Sequence, residues 1–236
     1  MNRFYAPFLK EHDQEYHLES DESRHCIKVL RNNLGDKIEL INGKGLIATA
    51  NISEIKKKSE CILSIESYQI KENYPYTHLA IAPTKNADKI EWLVEKASEL
   101  GIQKISFLNC QNNERRKINY SRLDKIIVSS AKQSGRLHLL EIEESISFTD
   151  FIEKHPTGLI AHCRNSKKES LSTIQNQKPI LIGPEGDFIK EEIELAIKSG
   201  YQAISLGKQR LRTETAGIAA CVTMARNAGI LDGDLF

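Results

Sequence analysis

Pro179-Ile180-Leu181-Ile182-Gly183-Pro184-Glu185-Gly186-Asp187-Phe188 and Ala203-Ile204-Ser205-Leu206-Gly207-Lys208-Gln209-Arg210-Leu211-Arg212-Thr213-Glu214-Thr215-Ala216 are built to one plan. Each opens on an apolar run that reads as a buried strand, Pro179 to Ile182 and Ala203 to Leu206. Each then breaks at glycine and leads into a helical pattern. Turns of this kind, at the carboxyl ends of strands in an open α/β sheet, are where ligands bind. Glycine lets a ligand approach bare backbone, whose N–H and C=O groups demand hydrogen-bond partners. Neither stretch contains G-x-G-x-x-G or G-x-x-x-x-G-K-[ST], so no dinucleotide or P-loop phosphate site is signalled. Pro184 also removes one N–H from the first turn. A ligand held by carbonyls and edges, such as an adenine, suits these turns better than a polyphosphate.

Outward from these turns, residues 78–236 alternate strand and helix. His78 to Ala82, Ile102 to Leu108, Gly158 to His162 and the two runs above read as strands. Ala87 to Leu100 carries Ile90, Leu93, Val94, Ala97 and Leu100 on one helical face, with Gly101 as its stop. Tyr120 to Ser134, Lys190 to Ser199 and Thr213 to Ala228 are further helices, each followed by glycine or ending just before one. Such alternation predicts an α/β fold with a mostly parallel sheet covered by helices. Residues 1–70 read mostly as β, with a short helix capped at Ser20 and running through Cys26 to Leu30. A hairpin follows around Asn42-Gly43, and a third strand shows alternation at Cys61, Leu63 and Ile65. These strands predict a small barrel or sheet. The domain expectation is 1–70, a linker over 71–77, and 78–236.

The 236 residues hold 40% hydrophobic and 28% charged side chains, enough apolar content for a core, and no apolar run approaches the ~18 residues of a membrane span. No apolar leader region is visible at the N-terminus. The five cysteines, at 26, 61, 110, 163 and 221, are far apart, odd in number and without a C-x-x-C pair, which points to a reduced, cytoplasmic compartment and to buried structural thiols. Net charge is +1, but Lys104 to Arg136 concentrates eight basic residues against Glu114 and Asp124. That is a phosphate-contacting face or a solvated helix surface. His25, His78 and His162 have no metal-ligand spacing, so no metal is expected. Trp92 reads as packing.

Gly183-Pro184-Glu185-Gly186, followed by Leu206-Gly207 and Leu211-Arg212-Thr213-Glu214-Thr215-Ala216, resembles the paired signature of the RsmE family. His25 to Arg31 is similar to that family's His-x-x-x-Val-Leu-Arg run, Glu99-Leu100-Gly101 to its Glu-Leu-Gly, and Gln133-Ser134-Gly135-Arg136 to its Gln-Ser-x-Arg. The resemblance implies a SPOUT-class methyltransferase with a trefoil knot formed from about Pro179 onward, and an N-terminal PUA-like β-barrel that binds RNA. It implies methyl transfer from S-adenosylmethionine to the N3 imide nitrogen of a uridine in 16S ribosomal RNA of the small ribosomal subunit, by a homodimer whose active sites borrow residues from the partner. One departure is Asp187, where the family usually has a second glycine; Asp tolerates positive φ better than most residues.

On this resemblance the cofactor pocket comprises Ile182, Gly183, Pro184, Glu185, Gly186, Leu206, Gly207, Leu211, Arg212, Thr213, Glu214, Thr215 and Ala216. Arg212, Glu214 and Glu185 are the catalytic candidates, as cation and carboxylates able to steady or accept charge at the target base. RNA contacts fall to His25, Lys28, Arg31, Arg115, Arg116 and Arg136. The competing readings are that Thr213 and Glu214 merely cap a helix and that Glu185 merely braces a turn. At the level of function, the alternative is a non-catalytic RNA-binding or ribosome-assembly protein with a degenerate donor pocket. A nucleotide-dependent oxidoreductase is disfavoured by the missing phosphate loop.

Overall fold

The computed structural model describes residues 1–56, 60–72, 74–114, 117–171 and 178–231. The chain divides into two compact units, one of residues 1–73 with 128–139 and one of residues 74–127 with 140–236. The segment Val128–Leu139 belongs to the first unit, apart from its neighbours in the chain. The reason is local hydrogen bonding. Gly45 N–H donates to Leu137 O at 3.0 Å and Leu139 N–H to Gly43 O at 2.9 Å, while Lys132 meets the Glu22 carboxylate at 2.5 Å. Gly43 is required there: its φ is +77°, and a Cβ would lie 2.7 Å from the Leu139 side chain.

In the first unit, β1 (Asn2–Tyr5), β2 (Glu15–His17), β3 (Lys37–Ile41), β4 (Leu46–Ile55) and β5 (Cys61–Ile70) form one sheet in the order β1-β3-β4-β5-β2. Only the β1–β3 pair is parallel. Alternation along β4 turns Leu46, Ala48, Ala50 and Ile52 inward to a core with Phe4, Ile38, Leu40 and Leu63. Bulges after Thr49 and Ile52 re-aim the long β4–β5 ribbon. Between β2 and β3, helix α1 (Ser20–Arg24) runs into a π-helical turn, His25–Val29. The expected Ser20 cap is not made: Ser20 is the first helical residue, and no side chain caps this end. The expected shared face also breaks, because Arg31 takes the left-handed conformation (φ +56°). Asn32 N–H then closes on Cys26 O at 3.1 Å, ending the helix as an αL residue does. His25, Lys28 and Arg31 are all exposed.

In the second unit, β6 (His78–Ile81), β7 (Lys104–Asn109), β8 (Glu141–Ser147), β9 (Gly158–Ala161), β10 (Glu169–Ser170), β11 (Ile180–Ile182) and β12 (Tyr201–Ser205) build a sheet in the order β10-β12-β9-β11-β6-β7-β8. Every pairing in it is parallel. The last central strand, β11, is inserted between β9 and the much earlier β6, which is where the resemblance puts the threading of the chain. Helices α2 (Ala87–Glu99), α3 (Tyr120–Ser134), α4 (Phe148–Lys154), α5 (Lys190–Lys198) and α6 (Thr213–Asn227) complete the chain. β8 and α4 are additions to the sequence reading, as are the short β1, β2 and β10.

Two apolar layers sandwich the sheet. Ala80, Leu108, Ile160 and Leu181 face Phe148, Phe151 and Phe188. Leu79 and Ile81 face α6, whose Gly217 sits so close that a Cβ would lie 2.8 Å from Ile81 and 2.9 Å from Leu93. In α2, Ile90, Leu93, Val94 and Ala97 are buried as the periodicity requires, but Trp92 is 44% exposed, so packing does not account for it.

The amino end of the sheet buries a histidine. His78 is fully buried, with Nε2 at 2.8 Å from Ser106 Oγ and Nδ1 at 3.1 Å from the Tyr76 hydroxyl. Burial, then the nearby His155 and Lys104, lower its pKa to about 3. The folded chain therefore holds His78 neutral at pH values where the unfolded chain protonates it, so stability falls as pH drops below about 6.5 and levels off near 3. Urea unfolding at pH 7.5 and pH 5 is expected to differ by about 2 kcal/mol from this residue, at roughly 1.4 kcal/mol per pH unit. No difference would mean that His78 titrates normally.

Candidate active site

The two glycine turns meet at the carboxyl end of the parallel sheet. β11 runs out into Gly183-Pro184-Glu185-Gly186, and β12 into Leu206-Gly207 and the start of α6. The Thr213 hydroxyl, buried in the first turn of α6, donates to Gly183 O at 3.2 Å and joins the two. Gly183 is tightly packed: a Cβ would be 3.0 Å from the Phe188 ring. Gly207 has φ +142°, a conformation that side chains resist.

A cavity of about 670 Å³ opens between the turns. Of the thirteen expected cofactor residues, Ile182, Gly183, Pro184, Glu185, Leu206, Gly207, Leu211, Arg212, Thr213, Glu214 and Ala216 line it. Two do not. Gly186 turns toward Asn112, whose Nδ2 donates to Gly186 O at 3.4 Å and Asp187 O at 3.0 Å. Thr215 is exposed on another face of α6.

The carboxylates are engaged within the protein. Glu185 Oε1 accepts from Lys85 N–H at 3.1 Å, bracing the loop between β6 and α2. Glu214 is 8% exposed and lies 2.8 Å from Lys89 Nζ. Burial pushes its pKa up, but the Lys89 ammonium outweighs this and holds the carboxyl below its usual range. The charge also suits the first turn of α6. Arg212, exposed at the N-cap of α6, lines the cavity.

Asp187 keeps the turn. Its φ is +65°, its N–H donates to Pro184 O at 2.9 Å, and its carboxylate accepts from Phe188 N–H at 2.9 Å and Cys163 N–H at 2.8 Å. The loop after β9 thereby becomes a third wall, with His162 and Cys163 lining the cavity. Sequence reasoning treated these two as a bland histidine and a buried thiol. Cys163 is exposed, whereas Cys26, Cys61, Cys110 and Cys221 are buried. The signal available in the sequence was position alone, since both directly follow a strand of the parallel sheet.

A family profile described as an RNA methyltransferase domain matches residues 71–225, and one described as an RNA methyltransferase PUA domain matches residues 18–66. The ribosomal RNA small subunit methyltransferase E of Rickettsia conorii is 33% identical over 93% of each chain. The chain belongs to the RsmE family of RNA methyltransferases. Its fold agrees with two solved RsmE-like structures. A probable rRNA-methyltransferase from Porphyromonas gingivalis is 33% identical, with TM-score 0.88 over 98% of this chain and 99% of that one. A ribosomal RNA small subunit methyltransferase E from Neisseria gonorrhoeae, bound to S-adenosyl methionine, is 28% identical, with TM-score 0.82 over the whole of both chains.

Of the expected RNA contacts, His25, Lys28 and Arg31 are exposed on the first unit, and Arg136 is half-buried on the segment that joins it. Arg115 and Arg116 lie outside the described residues. Among the described residues no cluster of His, Cys, Asp and Glu is arranged to hold a metal, and no helix is long and apolar enough to cross a membrane.

Thr213→Val keeps the side-chain shape but leaves the buried Gly183 carbonyl without this donor. It is expected to cost about 1–3 kcal/mol in urea unfolding, with Thr213→Ser nearer the parent. Equal stability of all three proteins would show that the turns meet without this bond.

Proposed function

We propose that this RsmE-family protein methylates the N3 imide nitrogen of one uridine in 16S ribosomal RNA, with S-adenosylmethionine as donor. The observation that carries the reading is the Thr213–Gly183 bond, which closes two sequence-distant turns into one cavity with backbone-rich walls. Its volume, about 670 Å³, suits a small cofactor. The apolar Ile182, Ile204, Leu206 and Leu211 offer faces for a base, and the backbone of the two turns offers edges. These residues, with Gly183, Gly207 and Ala216, would hold the donor, whose sulfonium supplies an activated methyl group. The S-adenosyl methionine in the neisserial relative supports the same assignment.

The protein's remaining work is orientation and charge. Arg212 lines the cavity from the exposed N-cap of α6, and its forked guanidinium suits the target base or a flanking phosphate. Glu214, held ionised by Lys89, is too weak a base for efficient proton transfer near neutral pH, and is assigned to anchoring α6. Glu185 keeps the β6–α2 loop in place at the cavity's edge. RNA is held by the first unit through His25, Lys28, Arg31 and Arg136, and by Arg115 and Arg116. A homodimer is part of the proposal. Trp92 and Val222, exposed apolar residues on the neighbouring helices α2 and α6, support it. Ribosomal RNA as substrate supports a cytoplasmic setting.

S-adenosylmethionine and its demethylated product are expected to raise the melting temperature, by an amount equivalent to about 2.7 kcal/mol at a hundredfold excess over Kd, while NAD and ATP do not. Absence of a shift at saturating donor would overturn the enzyme reading in favour of a non-catalytic RNA binder. Arg212→Ala is expected to abolish tritium transfer to small subunits that lack the modification while changing donor affinity little, and an equal loss of donor binding would move Arg212 into the cofactor site. Converting Arg115 and Arg116 together to Glu should lower the log–log salt slope of RNA affinity by about 2; an unchanged slope would remove both from the interface.

A further inference from the structure

The cavity wall holds more positive charge than its own carboxylates balance. Lys89, Lys168, Lys208, Arg210 and Arg212 line it, against Glu185, Asp187 and Glu214. All three carboxylates are engaged: Glu214 by the Lys89 ammonium at 2.8 Å, Glu185 by Lys85 N–H, and Asp187 by Phe188 and Cys163 N–H. Lys168 Nζ donates to Arg164 O at 2.5 Å. Lys208 and Arg210 are exposed, and among the described residues neither makes an ion pair.

The segment that carries these two cations is short and pinned at both ends. The Ser205 hydroxyl donates to Gly207 O at 3.1 Å and accepts from Gly207 N–H at 3.3 Å. At the other end Ala216 N–H donates to Arg212 O at 2.8 Å, in the first turn of α6. Like charges gathered at one site repel, and an opposite charge entering the site relieves the repulsion. S-adenosylmethionine does not bring one on balance, because its sulfonium and ammonium outnumber its single carboxylate. An RNA backbone does, with a negative charge on every phosphate.

We propose that Lys208 and Arg210 bind backbone phosphates of the RNA strand that carries the target nucleotide. The segment between β12 and α6 is then the second unit's own hold on the substrate, distinct from the basic residues of the first unit. The proposal rests on the reading of the cavity as the place of methyl transfer to RNA. Phosphate contacts fix register and orientation but carry no sequence information, so these two residues position the strand and leave the choice of base to other groups.

Two measurements on the full-length protein test this: methyl transfer to small subunits that lack the modification, at saturating donor, and filter binding of 16S ribosomal RNA transcribed in vitro. In Lys208→Gln/Arg210→Gln the KM for subunits is expected to rise about fivefold or more, and the log–log salt slope of RNA affinity to fall by about 2. The kcat, and the calorimetric Kd for S-adenosylmethionine and S-adenosylhomocysteine, should stay within about twofold of the parent, since exposed charges are screened at working salt. Lys208→Arg/Arg210→Lys keeps both charges and is expected to keep the parent's KM and slope. Parent-like KM and slope in the neutral variant would overturn the proposal. Equal losses in the neutral and charge-keeping variants would overturn it too, by making the shape of the segment the cause. Weakened binding of both donor compounds would give the cations to the carboxylate that those compounds share, and would also overturn it. A parent protein that binds the subunits but transfers no methyl group to them would instead overturn the function on which the proposal rests.

Discussion

The hydrogen bond from the Thr213 hydroxyl to the Gly183 carbonyl is the constraint on which the site depends. It joins residues thirty positions apart, with three glycines around it. At Gly183 a Cβ would come within 3.0 Å of the Phe188 ring. Gly207 must reverse the chain at positive φ. Gly217 must let α6 lie almost directly on Ile81 and Leu93. Each glycine costs conformational entropy on folding; Gly183 and Gly217 have close neighbours, whereas the Cβ position of Gly207 is open and only its φ favours glycine. The cavity is thus a product of close packing beneath it rather than of a gap left between elements.

Electrostatics at this end of the sheet follow the same economy. Two carboxylates that sequence reasoning offered as catalytic groups are engaged within the protein: Glu185 by Lys85 N–H and Glu214 by the Lys89 ammonium. A third, Asp187, spans two turns, and a fourth, Glu192, accepts from Gln111 and Ile189 N–H groups, tying the loop after β7 to the start of α5. Carboxylates bonded in this way tie one loop to the next. The acidic residues therefore act as fasteners for the loops, and the exposed cations Lys208, Arg210 and Arg212 line the cavity.

Much of this was legible in the sequence because the decisive signals are local. Apolar runs that end in glycine gave β11 and β12, and helical periodicity with glycine stops gave α2, α3, α5 and α6 within one or two residues. What was not legible is non-local or weakly patterned. β8 carries the sequence Glu-Ile-Glu-Glu-Ser-Ile-Ser at the sheet edge, too polar to read as a buried strand. The transfer of Val128–Leu139 to the first unit depends on backbone bonds to Gly43 and Gly45, which leave no mark on periodicity. The third wall of the cavity was missed for the same reason: His162 and Cys163 carry no motif, and their position becomes informative only once β9 lies beside β11.

The two buried histidines of the sheet show how such a position separates structural from functional groups. His78, at the amino end of β6, has both ring nitrogens bonded, to Ser106 and to Tyr76. Its hydrogen-bonding capacity is filled by the fold, so the residue contributes to stability and to its pH dependence. His162, just past the carboxyl end of β9, lines the cavity, and its buried Nδ1 has no hydrogen-bond partner. Desolvation is the leading cause of a lowered pKa in both, so the direction of the shift alone does not tell them apart. Position does, because a parallel sheet collects its loops at the carboxyl ends of its strands, and ligands bind there.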